Sequence, residues 1–141
     1  MVNYQVKLTM TAAQARIIAK ALDMYVRLGI GQTEEVADFL DMVLDVKDLE
    51  SLRQTMKAVK VEQLGCPANG SYGIGNEKLA DSVHDAYDVK KALEKVIATA
   101  ETHDRWSVWH DGNIVKYGKE PHVETSFVKD GAETQVNPRR T

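Results

Sequence analysis

The sequence predicts a helix-dominated α+β domain with an N-terminal strand, about four helices and a C-terminal β-hairpin. Three observations carry that expectation. Residues 2–10 alternate apolar and polar side chains with period two. Between residues 12 and 102 apolar positions recur at helical spacing. From residue 106 alternation returns around an Asp-Gly-Asn turn.

The strand reading rests on Val2, Tyr4, Val6, Leu8 and Met10 sharing one face, opposite Asn3, Gln5, Lys7 and Thr9. Thr11 then has the chemistry of a helix N-cap, and Gln14, three residues on, completes a capping box. The first helix is expected over 12–28. Ala15, Ile18, Leu22 and Tyr25 form its stripe, widened by Ile17, Ala21, Met24 and Leu28, and it ends at Gly29. A second helix is expected over 33–44, capped by Thr33, with Glu34 and Glu35 favoured in its first turn by the helix dipole. A third spans 47–62, with Leu49, Leu52, Met56 and Val59 at near-heptad spacing.

Residues 65–76, GCPANGSYGIGN, cannot continue a helix: four glycines, a proline and two asparagines mark a loop. A long fourth helix is expected over 77–102, with Val83, Ala86, Val89 or Lys90, Leu93, Ile97 and Ala100 as its buried stripe. Trp106–Trp109 and Ile114–Tyr117 read as two strands around Asp111-Gly112-Asn113, and 122–128 as a further short strand. Residues 1–129 are expected to form a single compact domain, and 130–141, which lack periodicity, a flexible tail or partner-binding arm.

Composition narrows the function classes. The chain has 141 residues, 43% hydrophobic and 28% charged, as in ordinary globular domains. A net charge of -3 argues against a dedicated binder of duplex nucleic acid, though not against a local cationic pocket. The single cysteine, Cys66, excludes an internal disulfide and points to a reducing compartment. No signal-peptide pattern opens the sequence and no apolar run approaches the length of a membrane span, so a cytoplasmic protein with no membrane partner is expected.

Candidate chemistry is sparse. Three His-Asp dipeptides, at 84–85, 103–104 and 110–111, invite a metal reading, but adjacent helical residues point in different directions and a dipeptide alone is no site. Glu34/Glu35 and Asp38 on the second helix, with Asp85 and Asp88 on the fourth, have the spacing of a magnesium-dependent nucleotide pyrophosphohydrolase. Solvated, dipole-favoured faces explain the same acids. No nucleophile elbow, phosphate-binding loop or dinucleotide fingerprint is present. No catalytic residue, metal ligand or cofactor is therefore expected.

The two glycine turns are more informative together. Tyr25, Arg27 and Gln32 surround the first; Asn69, Ser71, Tyr72 and Asn76 surround the second. Tyrosine stacks on bases, arginine pairs with phosphate, and amides and hydroxyls read base edges, so the inventory fits a nucleotide-like ligand. Core or interface tyrosines, and an Arg27 that serves Asp23, fit equally well.

The segment Ala21–Glu35 matches the pattern ALDxYxRxGxGQxEE, and Ser71-Tyr72-Gly73-Ile74 followed by Ala86-Tyr87-Asp88 resembles an SYGI…AYD stretch. With these signatures, residues 8–100 resemble a family of small tailed-bacteriophage proteins, itself similar to anti-CBASS immune-evasion sponges. That resemblance implies a homo-oligomer in the host cytoplasm that sequesters a cyclic dinucleotide without cleaving it, the ligand lying at subunit interfaces. The motif positions it carries are Tyr25, Arg27, Gln32, Ser71, Tyr72 and Asp88, joined by Asn69 on chemical grounds. The alternatives are a direct protein-binding inhibitor of a host defence protein, acting through the Trp106/Trp109 hairpin and tail, and the pyrophosphohydrolase built on Glu35, Asp38, Asp85 and Asp88.

Overall fold

The computed structural model describes residues 3–102 and 115–137. Its elements are α1 (Ala12–Gly29), α2 (Glu35–Leu44), α3 (Leu49–Leu64), α4 (Asp81–Thr102), β1 (Thr125–Lys129) and β2 (Ala132–Val136). The protein is thus a helix-dominated α+β fold ending in an antiparallel hairpin. Helix α4 is the central element: α1 packs along one side of it, and the hairpin lies on it from another. Helices α2 and α3 pack on each other, and α2 also touches α1.

Local chemistry sets the helix starts. The Thr11 hydroxyl accepts the Gln14 N–H at 3.1 Å while the Gln14 side chain accepts the Thr11 N–H at 3.0 Å, the reciprocal box expected from sequence. Asp48 caps α3 by accepting the Ser51 N–H at 3.0 Å. Thr33 does not cap α2: its hydroxyl donates to the Met56 carbonyl at 2.6 Å, and the helix begins at Glu35. A cross-helix acceptor on α3 has taken the hydroxyl that the local pattern assigns to a cap.

The core joins the C-terminal half of α1 to the start of α4. Val26, Ile30, Val83 and Ala86 are buried together, with Leu22, Ile74, Leu79 and Tyr87 packed around them. Close approach here depends on Gly29, where a Cβ would lie 2.4 Å from a methyl of Val83. Packing on more than one side makes α4's buried surface wider than a single stripe. Val83, Ala86 and Lys90 are buried as expected, but so are Asp88, Ala92, Lys95 and Val96.

Three expectations require correction. Residues 3–10 belong to no strand, because no neighbouring strand offers them a ladder among the described residues. Tyr4, Val6 and Leu8 are accordingly 82%, 69% and 73% exposed. The fourth helix starts at Asp81 rather than near Glu77, since residues 73–80 remain in turns closed by Asn76 N–H to Gly73 O and Leu79 N–H to Asn76 O. The hairpin is formed by 125–136, pairing Thr125 with Val136 and Lys129 with Ala132. Its turn, Asp130-Gly131, and its second strand occupy residues assigned from sequence to the flexible tail. Trp106, Trp109 and the turn at 111–113 lie outside the described residues; Val115–Tyr117 are described and are not in a strand.

Candidate functional site

The two glycine turns are neighbours in space. The Tyr72 N–H donates to the Ile30 carbonyl at 2.9 Å, tying the loop at 65–76 to the end of α1. A Cβ on Gly31 would touch the Tyr72 ring at 3.5 Å and the Cys66 Sγ at 3.8 Å. The Tyr72 hydroxyl donates to the Leu64 carbonyl, which orients the ring over this junction. Tyr72 remains 43% exposed and Tyr25 49%; the Tyr25 hydroxyl donates to the Ser82 hydroxyl at 2.9 Å. Asn69 and Ser71 are exposed on the loop, and Gln32 is half-buried beside Gly31.

Arg27 is held from several sides. Its Nε donates to Asp23 Oδ2 at 2.7 Å, and its Nη1 donates to Gln32 Oε1 at 3.1 Å and Glu35 Oε1 at 3.4 Å. Asp23 also receives the Lys90 ammonium at 2.8 Å. Burial opposes ionisation of Asp23, yet the hydrogen bonds from Lys90 and Arg27 outweigh it and hold the carboxyl below its usual range. The hydrogen bond to Asp23 raises Arg27 further above its ordinary value. Arg27 is therefore first a strut between α1 and α2, with two carboxylates already beside it, one of which it shares with Lys90 of α4.

Asp88 has a different environment from the other motif residues. It is buried, and its two oxygens accept the backbone N–H groups of Tyr117 at 2.9 Å and Gly118 at 2.8 Å. Asp85 similarly accepts the Glu120 N–H at 3.3 Å. Both carboxylates clamp the segment leading to the hairpin onto α4. Asp38 is bound by Arg53 through Nε at 2.8 Å and Nη2 at 2.6 Å, and Glu35 faces Arg27. The acids of the pyrophosphohydrolase reading are thus dispersed. Among the described residues no group of three or more His, Cys, Asp or Glu side chains is placed to hold a metal ion. His84 bonds the Ile74 carbonyl through Nε2 at 2.9 Å, and the other two His-Asp dipeptides lie outside the described residues.

Sequence reasoning missed Lys60. It is fully buried, and its ammonium donates to Glu34 Oε1 at 2.7 Å and to the Gly70 carbonyl at 3.0 Å. It thereby fixes the loop carrying Asn69, Ser71 and Tyr72 against the start of α2. Burial raises the Glu34 carboxyl, but the Lys60 hydrogen bond prevails and the net shift is downward. The available signal was a lysine four residues after Met56, on the margin of α3's apolar stripe. A second missed feature is the aromatic cluster in which Tyr117 meets Tyr87 edge-on at 5.4 Å and stacks on His84 at 6.3 Å. Burial, then the neighbouring Tyr117, pushes the Tyr87 hydroxyl above its ordinary pKa.

A cleft of 240 Å³ is lined by Asp85, Asp88, Val89, Glu120 and Val123. A cleft of 590 Å³ is lined by Lys116, Pro121, Glu124, Gln135 and Val136 beside the hairpin, away from the glycine turns. No helix among the described residues is long and apolar enough to cross a membrane. No protein-family model, curated protein or solved structure matches this chain.

Proposed function

We propose that the protein binds and sequesters a nucleotide-like anion, in the sharpest form a cyclic dinucleotide immune signal, without cleaving it. The observation that carries this reading is the Tyr72–Ile30 backbone bond, which sets the two glycine turns side by side with Tyr25 and Tyr72 half exposed. Gln32, Asn69 and Ser71 supply hydrogen-bonding groups around them. Arg27 contributes positive charge from its strut rather than as a free side chain, and Asp88 supports the adjoining segment instead of touching ligand. A ligand shared between copies would accord with the homo-oligomer that the phage-family resemblance implies.

Calorimetry with a panel of cyclic di- and trinucleotides, followed by recovery of the ligand, tests this. Binding with intact recovery supports it; a linear or cleaved product transfers the case to a hydrolase. Loss of base stacking in Tyr72→Ala should weaken binding by about 1–3 kcal/mol, roughly 5- to 150-fold in Kd. Tyr72→Phe, which keeps the ring, should bind nearly as the parent does. No binding across the panel would overturn the proposal.

One observation favours a second reading, a direct protein partner. Phe39, Met42, Val43 and Leu44 of α2 are all exposed, a cluster of large apolar side chains of the kind that marks interaction surfaces.

A further inference from the structure

The acid excess of this chain is concentrated in one stretch. Residues 34–50 hold seven carboxylates and a single lysine, although the whole chain has a net charge of only -3. Four of these acids face cations: Glu34 meets Lys60, Glu35 meets Arg27, and Asp38 and Glu50 share Arg53. The other three have no ion pair among the described residues. Asp41 and Asp48 accept backbone N–H groups, of Val46 at 3.3 Å and Ser51 at 3.0 Å, and Asp45 is exposed. They gather at the C-terminal end of α2, where the helix dipole is negative and no basic residue occupies the last turn. Acids there work against the helix that carries them. Departures of this kind from local stability are expected where a surface has another task.

The same helix has an uncovered apolar face. Ala37 is fully buried against the rest of the fold. Phe39, Met42 and Val43, spaced by three and four residues, fall together on the opposite side and are 42%, 65% and 50% exposed. Leu44 extends this surface at the helix end, next to Asp45. Ten residues of helix offer about 15 Å of length, enough for a partner helix of about three turns.

Charge decides what that partner is. A second copy of α2 is disfavoured: parallel pairing sets Asp45 against its equivalent, and antiparallel pairing sets it against Glu35. Anionic lipid and nucleic acid are repelled by the same carboxylates. We infer that α2 is the docking face for a cationic amphipathic helix of another protein. Apolar anchors of that helix, spaced by three or four residues, seat on Phe39, Met42 and Val43, and its Lys or Arg side chains approach Asp45 and Asp48. The inference rests on the protein-partner reading above and gives that partner its chemistry; it is independent of nucleotide binding.

The test uses the full chain and three synthetic peptides of about four helical turns. One is a Leu/Lys peptide with leucines at helical spacing, one has Glu in place of every Lys, and one is a scrambled Leu/Lys peptide. In calorimetry the first should bind saturably, one per chain, and the other two roughly tenfold more weakly or worse. Phe39→Ser, with helical circular dichroism retained, should weaken binding about thirtyfold, as loss of a hot-spot aromatic does. Asp45→Asn combined with Asp48→Asn keeps a residue suited to the positive φ at 45 and a capping acceptor at 48. That double variant should weaken binding about three- to tenfold and flatten its salt dependence. Equal binding of the Leu/Lys and Leu/Glu peptides overturns the cationic assignment alone; no binding of any peptide overturns the protein-partner reading beneath it as well. Equal binding of the scrambled peptide, binding indifferent to Phe39→Ser, or a dimeric parent protein that Met42→Ser makes monomeric would each overturn the inference.

Discussion

The carboxylate of Asp88, in the N-terminal half of α4, accepts the backbone N–H of Gly118 at 2.8 Å across 30 positions of sequence. Space for this contact exists because residue 118 has no side chain: a Cβ there would lie 2.1 Å from Asp85 Oδ1 and 2.8 Å from Asp88 Oδ2. Gly118→Ala should therefore detach the segment at 115–120 from the helix. Asp88→Ala leaves two backbone donors without their charged acceptor, and should cost about 3 kcal/mol. Urea denaturation measures the loss. A role for Asp88 in ligand contact instead requires Asp88→Asn to abolish binding while leaving stability nearly unchanged.

Lys60 and Glu34 form a pair whose members are not equivalent. Lys60 is fully buried, whereas the side chain of Glu34 is 25% exposed. Removing the carboxylate leaves a buried ammonium with only the Gly70 carbonyl beside it. Glu34→Ala should destabilise by about 2–3 kcal/mol, somewhat below the loss expected when both partners are fully buried. Adding Lys60→Met to Glu34→Ala should recover much of that loss, because the uncompensated charge is gone. Thermal unfolding of the single and double variants reads the difference.

Acid should loosen the junction of α1 and α4 through Asp23. Its folded-state carboxyl titrates below the unfolded value of about 4. The stabilisation is therefore fully present above that unfolded value and is lost as pH falls through the lower folded one. Glu34 is shifted in the same direction and adds to the same acid limb. Stability measured from pH 6 to pH 2 should fall less steeply in Asp23→Asn than in the parent. An unchanged slope would show that Asp23 carries no part of the acid sensitivity.

Gly29→Ala should separate α1 from α4. The added methyl meets Val83 at 2.4 and 2.9 Å, well inside contact distance. Overpacking of this kind costs about 1–3 kcal/mol. Val83→Ala, itself destabilising through a cavity, should partly rescue Gly29→Ala, a coupling that a double-mutant cycle measures directly.

Local chemistry by itself determined the helices and the punctuation between them. Thr11 and Gln14 are three residues apart, so their capping box closes without any other part of the chain. The glycine-rich loop at 65–76 and the helical spacing before and after it are likewise short-range properties. The neighbourhood of the two glycine turns is tertiary: it is made by the Tyr72 N–H donating to the Ile30 carbonyl of a distant segment. Tertiary structure decided which groups are spent holding the fold. Arg27 has the same chemistry toward a phosphate as toward Asp23 and Glu35; Asp23 is one turn away on α1 and legible in the sequence, whereas only the packing of α2 on α1 sets Glu35 beside it. Asp88 could equally be a solvated acid, until Tyr117 and Gly118 arrive on it from a distant segment. The alternation at 2–10 specifies a strand-competent segment but not a strand, because a strand exists only where a second backbone supplies its hydrogen bonds. Side-chain period is written in the chain; the partner across the ladder is a property of the assembled structure.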